Sequence, residues 1–163
     1  MRKIIILAGA IAGGVSLSQF PEFSQQYLQR LAGQVDALEE VVRDFDTSAA
    51  KAGLTREAAL AQLQGSAFLD LRQNDLRNLF LRHARASNDL HALRQASALE
   101  RIMMPQRLGD LQTLEATWQD YRPAVPVTLD GLFTALIGFV LGGGLSGLIW
   151  SILCWPLRRF SRH

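Results

Sequence analysis

Acidic residues are missing from both ends of this chain. All 15 Asp and Glu lie between Glu22 and Asp130, whereas Arg2, Lys3, Arg158, Arg159 and Arg162 place five of the 17 Lys and Arg on the extreme tails. The stretch between holds 12 basic and 15 acidic groups, net −3, so the overall +2 does not describe the folded surface and does not point to nucleic acid. Cysteine is almost absent. The one thiol, Cys154, allows no intrachain disulfide and no cysteine metal site. Histidine is scarce as well: His83 and His91 stand eight positions apart, about 80° around a helix, with no third ligand near. No glycine-rich phosphate loop precedes a helix, because the triplet Gly142-Gly143-Gly144 falls inside an apolar run. Neighbouring carboxylates such as Asp70 and Asp75, or Glu39 and Glu40, read as solvated charges. These absences lead to the expectation of no cofactor, no metal, no catalytic residue and hence no enzyme.

Charge is also missing from Leu132 to Trp155, 24 residues long. About 20 helical residues cross a hydrocarbon core about 30 Å thick, so this run predicts a membrane span. Trp150 and Trp155 beside Arg158 and Arg159 fit an interfacial aromatic belt backed by cations. A second apolar stretch runs from Ile4 to about Phe20, behind Arg2 and Lys3. At about 25 Å it is a short anchor, and a cleaved secretory signal ending near Ser16-Leu17-Ser18 is the competing reading. The basic tails place both termini in the cytoplasm and the middle across the membrane. The spans carry no ionisable group except Cys154, which argues against a self-contained pump. They do carry small residues four apart: Gly9 with Gly13, Gly138 with Gly142, and Gly143 with Gly147. That spacing suits close helix–helix packing, within the chain or between copies.

The middle reads as helix. Leu28, Leu31, Val35, Leu38, Val42 and Phe45 alternate three and four apart, a heptad seam in a helix expected to end near Asp46, with Thr47 to Gly53 as a loop. Thr55 caps a short second helix that Gly65 stops. A longer pattern runs from about Ser66 to Met104, with Leu69, Leu76, His83 and Leu90 on one stripe, Leu79, Ala86 and Leu93 beside it, and a break expected near Ser87-Asn88-Asp89. His83 is expected at the flank of that seam and His91 in water. Residues 22–46 carry net −4 and residues 66–103 carry net +2, so antiparallel pairing would bury both seams and join unlike charges. A last helix, from about Gly109 to Tyr121, leads to the stiff linker Arg122-Pro123-Ala124-Val125-Pro126. Trp118, Tyr121 and Arg122, just before re-entry into the membrane, are candidates for interfacial anchoring or for docking a partner or lipid headgroups.

Ser18-Gln19-Phe20-Pro21-Glu22-Phe23 with Gln25-Gln26-Tyr27-Leu28-Gln29-Arg30-Leu31, and Ala116-Thr117-Trp118-Gln119-Asp120-Tyr121-Arg122-Pro123-Ala124-Val125-Pro126, resemble a bacterial membrane-protein family catalogued as domain of unknown function 2937. Arg82-His83-Ala84-Arg85 and Asp89-Leu90 fit the same pattern. The resemblance spans nearly the whole chain and implies a bacterial inner membrane with a periplasmic middle. It implies no activity. The expected architecture is therefore an all-α membrane protein, with two transmembrane helices flanking a coiled-coil-like helical domain. Its divisions are an anchor over 1–20, a helical domain with a Pro-rich exit linker over 21–127, a membrane helix over 128–157 and a basic tail over 158–163. The expected role is a non-enzymatic accessory or scaffold subunit in contact with membrane lipids, associating with itself or with another membrane complex. An oligomeric channel or lipid or solute transport component is the first alternative, and an enzyme with an unrecognised site the second.

Overall fold

The computed structural model describes the backbone of residues 1–160 and the side chains through Cys154. The chain is helical throughout: α1 (Arg2–Ser18), α2 (Phe20–Lys51), α3 (Arg56–Ala61), α4 (Ala67–Gln95), α5 (Ala98–Ile102), a 3-10 turn (Pro105–Leu108), α6 (Leu111–Asp120) and α7 (Leu129–Phe160). No strand occurs among the described residues. Two compact units result. One comprises Met1–Gln26, Ser97–Met103 and the chain from Asp120 onward; the other comprises Tyr27–Ala96 and Met104–Gln119.

In the first unit α1 packs along α7, and α5 rests against α7. The helical run Arg2–Lys51, which begins with α1, and the stretch Leu129–Cys154 of α7 are each long and apolar enough to cross a membrane, and 17% of the most apolar part of each is buried. Two hydroxyls inside them bond back to their own helices. The Thr134 hydroxyl donates to the carbonyls of Asp130 and Gly131 at 2.9 Å, and Ser18 donates to that of Val15 at 2.8 Å. In hydrocarbon such back-bonding removes the cost of a stranded hydroxyl. The α7 helix continues through Pro156 to Phe160, beyond the expected end of the span at 157. The belt of Trp155, Arg158 and Arg159 lies outside the described side chains, and the tail residues 161–163 lie outside the described residues.

In the second unit Tyr27, Leu28, Leu31 and Val35 of α2 share a buried cluster with Ala86, Leu90 and Leu93 of α4, flanked by Leu108 and Leu114. Further along, Phe45 meets Phe80 edge-on with ring centroids 5.3 Å apart. Numbers rise on α2 as they fall on α4, so the two helices run antiparallel. Leu28, Leu31, Val35 and Val42 of the heptad seam are buried; Leu38 and Phe45 are half-buried. Each fully buried Leu or Val contributes about 1.5–3 kcal/mol relative to exposure. Beside Phe80 the Arg56 guanidinium stacks 4.7 Å from the ring centroid, and its Nε donates to Asp46 at 2.7 Å. That hydrogen bond holds the Asp46 carboxyl below its usual range.

Two helix boundaries differ from the sequence expectation. The α2 helix does not end near Asp46 but runs to Lys51. Thr47 donates back to the Arg43 carbonyl at 2.7 Å and causes no break. The stop is Gly53, at φ +71, with Gly53 N–H on the Ala50 carbonyl and Leu54 N–H on that of Ala49, both at 2.9 Å. This is a Schellman ending, which the left-handed glycine makes possible. The long pattern after Ser66 breaks at Ala96-Ser97 rather than at Ser87-Asn88-Asp89. There Ser97 and Glu100 form a reciprocal capping box that starts α5. Thr55 and Ser66 cap α3 and α4, and Gly65 stands at φ +98 just before α4.

Candidate functional site

The helical spacing of α1 puts Gly9 and Gly13 on one face, and α7 does the same for Gly138 and Gly142. The structure brings these four together. A Cβ added at Gly13 would land on the Gly138 carbonyl oxygen and 2.9 Å from Gly142 Cα. One added at Gly142 would strike the Gly9 carbonyl oxygen and stand 3.0 Å from Gly13 Cα. The backbones thus touch without side chains between them, the arrangement that lets helices associate where lipid supplies no hydrophobic drive. The pairing order, Gly9 with Gly142 and Gly13 with Gly138, makes α1 and α7 antiparallel. Gly143 and Gly147 lie at the border of the contact. A Cβ there would meet Ala10 Cβ at 3.2 Å and Ile6 Cδ1 at 3.5 Å, respectively.

At the end of α1 sits a feature that sequence spacing does not reveal. The Gln19 side-chain amide donates to the Ala124 carbonyl and accepts from the Ala124 N–H, both at 3.1 Å. The same amide donates to Ser18 Oγ at 3.1 Å and accepts from the Tyr121 hydroxyl at 3.0 Å. All four hydrogen-bonding positions of one glutamine are therefore filled. Tyr121 also packs edge-on against Phe23 at 5.5 Å between centroids. Burial, and then the charge of Glu22, pushes its phenol above the ordinary range. Of the three anchor candidates, then, Tyr121 is tied inward. Trp118, on α6 of the other unit, is 70% exposed, and Arg122 is exposed on the linker. A glutamine at a helix end followed a hundred residues later by an extended Pro-rich segment carries no periodic signal. The only hint was that both segments belong to the motifs quoted above.

The second unit holds a polar cluster of its own. Asp110 caps α6 by accepting the Thr113 N–H at 2.9 Å, and it pairs with Arg82 through Nε and Nη2 at 3.1 and 3.2 Å. Burial alone would raise its carboxyl, but the Arg82 and Thr113 donors outweigh that and hold it below the usual range. The Gln34 amide completes the set when its NH2 faces Thr113 Oγ1 and its oxygen accepts from Arg82. Arg107 pairs with Asp89 at 2.8 Å. The Tyr27 hydroxyl is buried with no well-formed hydrogen bond, and burial pushes it up to about 12, an effect that the Asp110 backbone N–H partly offsets. Arg82, Asp89 and Asp110 border a cleft of about 700 Å³ that Leu81, Arg85 and Leu111 also line. Arg82 and Asp89 belong to the quoted motifs, and Asp110 three residues before Thr113 is a legible cap; their pairing across the fold was not.

His83 is half-buried on α4, and His91 is exposed and bonded to Gln95. Among the described residues no three His, Cys, Asp or Glu side chains gather where they could hold a metal ion. Neither curated proteins nor solved structures give a match to this chain. The glycine contact, the Gln19 clasp and the Arg82 cluster all fall within one continuous match, that of the family described as protein of unknown function (DUF2937), which covers residues 1–159; the chain belongs to that family.

Proposed function

We propose that this protein is a two-span membrane protein of the bacterial inner membrane and acts as a non-enzymatic scaffold or accessory subunit. In this reading α1 and α7 cross the bilayer as an antiparallel pair, both termini lie in the cytoplasm, and the helices between them face the periplasm. The observation that carries it is the backbone contact of Gly9 and Gly13 with Gly138 and Gly142, between helices whose outer faces are apolar and uncovered. Antiparallel packing agrees with basic tails on one side of the membrane. Because these glycines are engaged within the chain, association with a second copy or another complex runs through other surfaces. The exposed Asp36, Glu39, Glu40 and Asp44 on α2 offer one such surface, since none of them joins an ion pair among the described residues.

Reporter fusions test the topology. Green fluorescent protein fused after His163 should fluoresce, and alkaline phosphatase placed there should be inactive. Active phosphatase at that end overturns the orientation. Cross-linking in native membranes followed by mass spectrometry tests the scaffold role: a defined partner or multimer is expected. A strictly monomeric, partner-free protein contradicts it.

A further inference from the structure

Beside the glycine contact, α1 and α7 leave a groove of about 430 Å³, with walls from Ile6, Leu7, Phe139 and Val140 and a floor at Gly143 and Gly144. Ala10 also lines it, and Lys3, the lining residue nearest the start of α1, is its charged group. A Cβ at Gly144 would meet nothing within 4 Å, unlike its counterparts in the helix contact, so the space there is open rather than filled by packing. Charge decides what fits. Lys3 follows Arg2, and no acidic residue precedes Glu22, so nothing on α1 neutralises this cation. From Lys3 to Ala10 the groove covers about 10 Å of helix, a third of a hydrocarbon core about 30 Å thick, and so lies within one leaflet.

We propose that this groove is a lipid site that takes an acyl chain of an anionic phospholipid, with the phosphate against Lys3. The inference rests on α1 and α7 being a membrane pair. Glycine gives the chain a smooth bed, and the ammonium supplies a charge-assisted contact at the depth of the headgroups. A zwitterionic lipid with the same chains fills the groove equally well but gains less from Lys3.

The test uses the full chain, delipidated in mild detergent and titrated with dioleoyl phosphatidylglycerol or dioleoyl phosphatidylcholine, with bound lipids counted by native mass spectrometry. One phosphatidylglycerol should be retained per chain in preference to phosphatidylcholine. Lys3→Ala should lower the phosphatidylglycerol affinity roughly fivefold, the scale of one lysine near an anionic surface. Gly144→Leu should abolish retention of either lipid while leaving α1 against α7, because its side chain enters the groove and not the contact. Equal retention of both lipids by the wild type, or undiminished retention by Gly144→Leu, overturns the proposal. Carbonate extraction of native membranes separates the two levels. Protein released by carbonate defeats the membrane reading itself, whereas carbonate-resistant protein with no headgroup preference defeats the groove alone.

Discussion

Gln19 and Ala124 stand 105 positions apart and exchange two hydrogen bonds of 3.1 Å, one in each direction. The glutamine side chain pairs with the linker backbone as a neighbouring strand would, and so fixes the extended segment just before α7. An extended segment has no hydrogen-bonded neighbours of its own, and its backbone groups must find partners elsewhere.

Replacing Gln19 with Leu keeps the side chain's bulk and removes both donor and acceptor. The Ala124 amide should then exchange with solvent about tenfold faster, since one such bond contributes about 0.5–1.5 kcal/mol. Hydrogen–deuterium exchange resolved to the linker peptide measures this. Unchanged protection at Ala124 would show that the clasp does not hold the linker.

The seam on α2 is uneven, and its residues should respond accordingly. Leu31 is fully buried and Leu38 only half so. Leu31→Ala should cost about 2–5 kcal/mol, the usual range for a buried leucine. Leu38→Ala should cost clearly less. Denaturant unfolding followed by circular dichroism gives both values, and equal losses would contradict the burial pattern.

How much of this was legible in the sequence depends on the range of the interaction. The α2 seam, the charge-free run after Leu132, the cap at Thr55 and the helix start near Ser66 are local signals of spacing and residue type. Ser97 with Glu100 was equally local, a capping-box pattern inside an apolar stripe long enough to suggest one uninterrupted helix. At the end of α2 the threonine and serine after Asp46 resemble a loop, but only Gly53 adopts the left-handed conformation that stops the helix. The Gln19 clasp and the Arg82–Asp110 pair join residues far apart in the chain through single polar contacts. No periodicity encodes such a contact, and only the folded chain shows who meets whom.

The Arg82–Asp110 pair carries a pH dependence. The Asp110 carboxyl titrates below its unfolded value, so the stability it confers is fully present above about pH 4 and is lost as pH falls through the lower, folded value. Asp46, held low by Arg56, acts in the same direction. Asp110→Ala also removes the cap of α6 and should cost about 2–3 kcal/mol at neutral pH, less any screening of the partly exposed Arg82. The variant should in turn lose less stability than the wild type between pH 5 and the acid limit. Parallel losses in the two proteins would show that Asp110 does not carry the acid sensitivity.

In the proposed arrangement α1 and α7 meet within one chain inside the membrane. The Cβ positions of Ala10 and Gly143 lie 3.2 Å apart, slightly closer than the usual disulfide spacing and within reach of a small adjustment. With Cys154 replaced by Ser, a chain carrying Ala10→Cys and Gly143→Cys should be oxidised in native membranes with copper phenanthroline and then run on a non-reducing gel. Pairing within one chain gives a cross-linked monomer of altered mobility in the carbonate-resistant fraction, and no such species when Gly144→Cys replaces Gly143→Cys. A ladder of cross-linked dimers without the intrachain product would contradict it, because the glycine faces would then join copies rather than the two helices of one protein.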